Sequence, residues 1–109
     1  MELSKELYVG DKVESLGSIV YALRRNLPLL HVYCLCKAKT GKHIAIVSAR
    51  ELVRARNADR EYLIFGVAQG KKEAYGLLVQ IIAEATASGY PVERLWAYLE
   101  ENGVQRDEA

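Results

Sequence analysis

Three apolar segments with the length of β-strands constrain the fold of this chain more than any other feature. Residues 31–36 and 43–47 are largely apolar at both odd and even positions, and residues 62–68 form a continuous apolar run. Successive side chains of a strand point to opposite faces of a sheet, so such strands present apolar groups on both faces. We therefore expect a sheet that is covered on both sides, with residues 62–68 near its centre.

Apolar residues at helical spacing predict helices around these strands. The first begins at Asp11 and ends before Pro28, a short one follows residue 48 and extends to about Arg56, and two more lie near 71–88 and 91–102. The expected fold class is α+β, or a small α/β protein: a three-stranded mixed sheet with helices packed on it, in the order α-β-β-α-β-α-α. A helix links the second and third strands, so we expect these two strands to be parallel.

Local capping signals mark several of these boundaries. Asp11 with Glu14, and Ser48 with Glu51, have the spacing of a capping box, in which each side chain bonds to the other residue's backbone amide. Gly89 follows the third predicted helix and is expected to take the left-handed conformation that ends many helices. The signal at Asp11 predicts where the first helix begins, and Gly89 predicts where the helix near 71–88 ends.

Length and composition bound the class of protein. The 109 residues suit a single domain, 1–109, in which we expect 1–8 and 104–109 to be flexible termini. No apolar stretch reaches the roughly 18 residues of a membrane-spanning helix, and the first residues do not have the pattern of a secretory signal. With two cysteines, the chain is predicted to be cytoplasmic, to keep both thiols reduced and to contact no membrane.

The small number of helices suggests how the protein functions. Two long helices and one short one leave part of a double-faced sheet uncovered, and we expect the face with Tyr33, Leu35, Ile44 and Ile46 to be bare. A second copy of the chain would cover that face, which predicts a homodimer or a protein partner. The leading hypothesis is a non-catalytic module for self-association or protein interaction. Tyrosines suited to the rim of an interface are Tyr8, Tyr21, Tyr75, Tyr90 and Tyr98.

The turn after the third predicted strand supports an alternative hypothesis, a small anionic-ligand binder or enzyme. A phosphate-binding loop needs G-x-x-x-x-G-K followed by Ser or Thr, but here the spacing is one residue short and Lys72 replaces the hydroxyl. Free amides at a helix N-terminus still favour an anion, although a purely structural turn explains the glycines as well. The candidate ligand-binding residues are Gly66, Gln69, Gly70, Lys71 and Lys72.

Positive charge is concentrated in residues 24–60, which supports a third hypothesis of RNA binding. This block has nine basic residues against two acidic ones, a net charge of +7 in a chain whose total is +1. Ordinary solvation of a surface explains the charges equally well, and we expect Lys37, Lys39 and Lys42 to lie in water at a hairpin tip. The other basic residues of the block are Arg24, Arg25, Arg50, Arg54, Arg56 and Arg60.

The histidines and cysteines have the residue types of a zinc site but not its geometry. On one strand Cys34 and Cys36 point to the same face, whereas His31 points to the other and leaves His43 as the only further ligand. Both thiols lie in an apolar strand, where a cysteine packs as a small hydrophobic residue and is inert. We therefore expect no metal site, no catalytic residue and no cofactor.

Residues 62–101 combine a strand, a turn with glycines at 66 and 70, and a helix that begins with charged residues. This succession resembles small bacterial α/β proteins that have no assigned activity. The resemblance implies a bacterial, cytoplasmic origin. It includes no catalytic signature and so implies no activity for the chain.

Overall fold

The computed structural model describes residues 2–27, 29–38, 42–52 and 62–102, which contain one four-stranded mixed sheet. Its strands lie in the order β1-β4-β2-β3, with β1 parallel to β4 and β2 antiparallel to both β4 and β3. The α+β class and the mixed sheet are confirmed, and β4 lies inside the sheet as predicted. The strands are β1 (Glu2–Val9), β2 (Val32–Ala38), β3 (Ile44–Ser48) and β4 (Tyr62–Gln69).

The predicted strand count and element order are wrong, because residues 2–9 form a strand instead of a flexible terminus. Among the described ranges the order is β1-α1-β2-β3-α2-β4-α3-α4. The charged residues Glu2, Lys5 and Glu6 interrupt the apolar alternation of β1, which among the described strands pairs only with β4. β3 and β4 do run in the same direction, but they are not neighbours because β2 lies between them.

The helices begin and end close to several of the predicted positions. α1 begins at Leu16 and not at Asp11, because the Oγ of Ser15 accepts a hydrogen bond from the N–H of Ser18 at 3.4 Å. Gly89 has a φ of +92°, as its left-handed cap requires. The helices are α1 (Leu16–Arg24), α2 (Ala49–Leu52), α3 (Lys71–Ala87) and α4 (Leu95–Asn102), the last preceded by a 3₁₀ turn (Val92–Arg94).

Ser48 caps α2 as predicted, since its Oγ accepts a hydrogen bond from the N–H of Glu51 at 3.2 Å. The structure describes α2 only as far as Leu52. The predicted end of this helix near Arg56, the stop at Pro28 and the tail 104–109 lie outside the described residues.

Each face of the sheet has its own apolar core, so the predicted covering of both sides is confirmed. α1 and α2 pack on one face, with a core of Leu3, Ile19, Leu23, Val32, Cys34, Cys36, Ala49, Leu52, Ile64 and Val67. α3 and α4 pack on the other, with a core of Leu35, Leu63, Phe65, Ala68, Ala74, Leu77, Ile81, Ala85, Leu95 and Leu99.

The face that was expected to be bare is covered within a single chain. Leu35 is 0% exposed beneath α3 and α4, and Tyr33, Ile44 and Ile46 are half-buried against the same core. The prediction failed because it assigned too little cover to the last two helices, which both pack on this face. A dimer formed face to face through these four side chains therefore has no physical basis.

Candidate functional site

The turn between β4 and α3 holds a carboxylate that belongs to the chain itself. Gly70 lies between the two elements with a φ of +89°. Glu73 Oε1 accepts a hydrogen bond from the N–H of Gln69, and Glu73 Oε2 accepts one from the N–H of Lys12, both at 2.8 Å. A carboxylate makes charge-assisted hydrogen bonds of this kind, so the chain's own Glu73 satisfies the amides of Gln69 and Lys12 at the start of this turn.

The structure does not bring all the predicted anion-binding residues together. Gly66 is buried inside β4, where an added Cβ would lie 3.3 Å from the carbonyl oxygen of Tyr8. Gln69, Gly70, Lys71 and Lys72 lie at the turn, and both lysines are exposed. Sequence reasoning missed Glu73, for which the local signal is an acidic residue in the first turn of a helix.

The two cysteines are packed into the core beneath α1 and α2. Both are free and 0% exposed. Burial raises the pKa of Cys34 to about 12, and it raises the pKa of Cys36 well above its ordinary value. His31 and His43 are exposed, and the described ranges contain no group of three His, Cys, Asp or Glu residues placed to hold a metal ion.

These raised pKa values predict that neither thiol reacts in the folded protein. At pH 8 the native protein should release almost no colour from a thiol-reactive disulfide such as DTNB, because only the thiolate attacks. In concentrated urea both cysteines should react. Rapid modification of one cysteine without denaturant would contradict the buried placement.

The same pKa values predict a loss of stability in alkali. An unfolded thiol ionises near its ordinary pKa of 9.0, whereas the folded Cys34 keeps its proton until about pH 12. The unfolded state therefore binds fewer protons above pH 9, and the free energy of unfolding falls as the pH rises. Urea denaturation at pH 8, 9 and 10 should show this fall, and a variant with Cys34→Ala and Cys36→Ala should show a smaller one. Equal slopes in the two proteins would contradict the prediction.

The basic block of residues 24–60 is not one continuous stripe. Lys37 is only 3% exposed and its Nζ lies 2.9 Å from Oε1 of Glu100, so the expectation that it lies in water is wrong. The guanidinium of Arg25 lies 3.9 Å from the centre of the Tyr21 ring. Arg24, Lys42 and Arg50 are exposed, whereas Lys39, Arg54, Arg56 and Arg60 lie outside the described residues.

The tyrosines predicted for an interface rim lie in different environments. Tyr21 and Tyr75 are exposed. Tyr8, Tyr90 and Tyr98 instead pack against the core beneath α3 and α4, where burial and the neighbouring Tyr98 raise the pKa of Tyr8. These three therefore stabilise the chain internally.

The outer edge of β3 has no strand partner among the described residues. The N–H of Ala38 donates to the carbonyl of His43 at 2.9 Å, and the five β2–β3 pairs continue from there without a register shift. In an antiparallel ladder every second residue bonds to the same neighbouring strand, so Ala45 and Val47 bond to β2 as His43 does. Ile44 and Ile46 consequently direct their N–H and C=O groups away from the sheet.

Together these features define a three-layer α+β protein in which, within the described ranges, the apolar strand β3 lies at one edge of the sheet. The chain matches no known protein family, no curated protein and no solved structure. The resemblance of residues 62–101 to small bacterial α/β proteins therefore stays a prediction. None of the helices in the described part of the chain is long and apolar enough to cross a membrane.

Proposed function

We propose that this protein is a non-catalytic, cytoplasmic self-association module that forms a homodimer when β3 of one copy pairs with β3 of another. The observation that supports this proposal is the outer edge of β3, where the backbone groups of Ile44 and Ile46 point outward. The proposal keeps the predicted homodimer but transfers its contact from the face of the sheet to its edge.

The two edges of the sheet differ in how well they resist pairing. Native proteins protect an exposed edge with charged side chains, proline or a β-bulge. β1 has such protection, since its register shifts between Leu3 and Tyr8 and the charged Glu6 is exposed. β3 reads IAIVS, without charge or proline, and keeps a regular register throughout. An incoming strand is therefore expected at β3 and not at β1.

A two-fold axis through the edge of β3 suits both the backbone and the side chains. Antiparallel pairing of two identical strands forms every hydrogen bond twice and would join two sheets into one. All five residues of β3 are half-buried in one chain, so a second copy would remove much of their remaining exposure to water. Because Ile44–Ser48 has no charged side chain, two copies can approach without like-charge repulsion within the strand.

A proline substitution tests this edge directly. Ile46→Pro removes an amide that points outward, so it should abolish the dimer and leave the intrachain β2–β3 hydrogen bonds intact. Ile46→Val controls for the lost side-chain volume and should remain dimeric. Ala45→Pro removes an amide that bonds to β2, so it should destabilise the fold itself. Sedimentation velocity over a dilution series measures association, and circular dichroism with urea denaturation measures folding.

Two results would contradict the proposal. One is a wild-type protein that sediments as a monomer at every concentration. The other is a folded Ile46→Pro variant that associates as strongly as the wild type, which would place the contact elsewhere.

A further inference from the structure

A groove opens at the end of the sheet where β2 begins and β3 ends. Its volume is about 350 Å³, within the range of small-molecule sites. It continues beyond the last residue of β3 onto the first turn of α2. All of its lining residues come from one copy of the chain. The lining residues are Leu29, Leu30, His31, Val32, Tyr33, Ser48, Arg50 and Glu51.

Hydrogen-bond donors on this lining are available to a ligand. Arg50 is exposed and makes no ion pair within the described ranges, so the N–H groups of its guanidinium remain open. The Oγ of Ser48 accepts from the N–H of Glu51, which leaves the hydroxyl proton of Ser48 free to donate. A guanidinium and a hydroxyl that line the same groove suit a carboxylate, since the planar fork of arginine matches its two oxygens.

The backbone at His31 is held in an uncommon conformation. Its φ is +60°, a left-handed value that costs an L-residue roughly 1 kcal/mol, and its carbonyl accepts from the N–H of Gly70 at 2.6 Å. Such strained residues are concentrated at ligand sites. Asn26 also has a positive φ, of 54°, but it directly follows the last turn of α1, where asparagine often ends a helix.

Three aliphatic side chains also line the groove. Leu29 is half-buried, Val32 is buried, and Leu30 stands 69% exposed beside the groove. A ligand that covers these side chains needs an apolar body, which inorganic anions lack. We propose that this groove binds a small organic carboxylate, with the carboxylate on Arg50 and Ser48 and the apolar body against Leu29 and Leu30.

Benzoate is the probe that combines the two features. In ¹⁵N-labelled protein at constant ionic strength, benzoate should shift the amides of residues 30–33 and 48–51 in a saturable way. Benzyl alcohol, which has the ring without the charge, and inorganic phosphate, which has the charge without the ring, should each bind about tenfold more weakly or less.

Removing a positive or a negative charge from the lining should change the affinity for benzoate in opposite directions. Arg50→Gln should weaken benzoate binding about tenfold or more, because it removes the guanidinium. Glu51→Gln should strengthen it about twofold, because it removes the acidic side chain of the lining and keeps the backbone N–H that bonds to Ser48. Lys72→Gln removes an exposed positive charge that does not line the groove, and it should leave the affinity unchanged.

Two glycine substitutions test whether the residue with a left-handed backbone in the groove contributes to binding. Glycine adopts a positive φ without strain, so neither His31→Gly nor Asn26→Gly should destabilise the fold strongly. Only His31→Gly changes the groove, and it alone should weaken benzoate binding, by about threefold. The proposal is overturned if benzyl alcohol or phosphate binds as tightly as benzoate, if no titration saturates, or if Arg50→Gln binds like the wild type.

Discussion

Glu100→Ala is expected to lower the free energy of unfolding by about 2 kcal/mol, whereas Lys37→Met should change it by less than about 1 kcal/mol. The two substitutions remove opposite ends of the same ion pair. Lys37 lies on β2 with its side chain 4% exposed, and Glu100 lies on α4 with its side chain 49% exposed. The predicted asymmetry follows from this difference in burial.

Removal of Glu100 leaves an ammonium group inside the protein, where its Nζ still donates a hydrogen bond to the carbonyl of Ala38 at 3.0 Å. An uncompensated buried charge is strongly destabilising. Methionine has nearly the length of lysine but no charge, so Lys37→Met fills the same space, and the half-exposed Glu100 is then solvated by water. In Lys37→Met the lost attraction between the two charges is offset, because no charged group has to be buried.

The measurement is a double-mutant cycle by urea denaturation. In the Lys37→Met background, Glu100→Ala should cost less than about 0.5 kcal/mol, because the charge it compensated is gone. Glu93→Ala, an exposed site on the 3₁₀ turn, controls for the general effect of losing a negative charge. Equal costs of Glu100→Ala in both backgrounds would show that Glu100 acts independently of Lys37.

Glu73→Ala is expected to cost about 2 kcal/mol, and Gly10→Ala should cost nearly as much through the same carboxylate. Glu73 connects the amides of Lys12 and Gln69, at the ends of the parallel strands β1 and β4. A Cβ on Gly10 would lie 2.1 Å from Glu73 Oε1, so alanine at position 10 must displace the carboxylate from both amides.

Non-additivity is the decisive part of this second prediction. With Glu73→Ala already present, Gly10→Ala should cost less than about 0.5 kcal/mol, because the atoms it would collide with are absent. Glu73→Gln should lie between wild type and Glu73→Ala, since one amide oxygen replaces two carboxylate oxygens. Additive costs would mean that Gly10 is required for its own backbone conformation and not for the approach of Glu73.

Much of the fold could be predicted from local patterns. The apolar runs at 31–36, 43–47 and 62–68 correspond to β2, β3 and β4, and their double-faced character correctly predicted a sheet covered on both sides, although not that helices of the same chain cover both. Ser48 and Gly89 act where their capping signals lie. These features depend on contacts within a few residues, or on how apolar a segment is, and both are visible along the chain.

β1 could not be predicted in this way, nor could the hydrogen bonds that Glu73 accepts from Lys12 and Gln69. Charged residues interrupt β1, and its stability comes from pairing with β4, more than fifty residues later. The carboxylate of Glu73 accepts from the amide of Lys12, a residue 61 positions away. Sequence spacing identifies a helix N-terminus, but only the packing of the segment after β1 beside α3 brings the amide of Lys12 to this carboxylate.

By itself, the amino-acid sequence determined the three most apolar strands, β2, β3 and β4, and that both faces of their sheet are covered. The tertiary structure decided the strand order, the burial of Lys37 beneath α4 and the position of β3 at the edge of the sheet among the described residues. The physical reason is that apolar periodicity reports how much of a segment leaves water, whereas the neighbour that each strand or charge meets depends on the path of the whole chain.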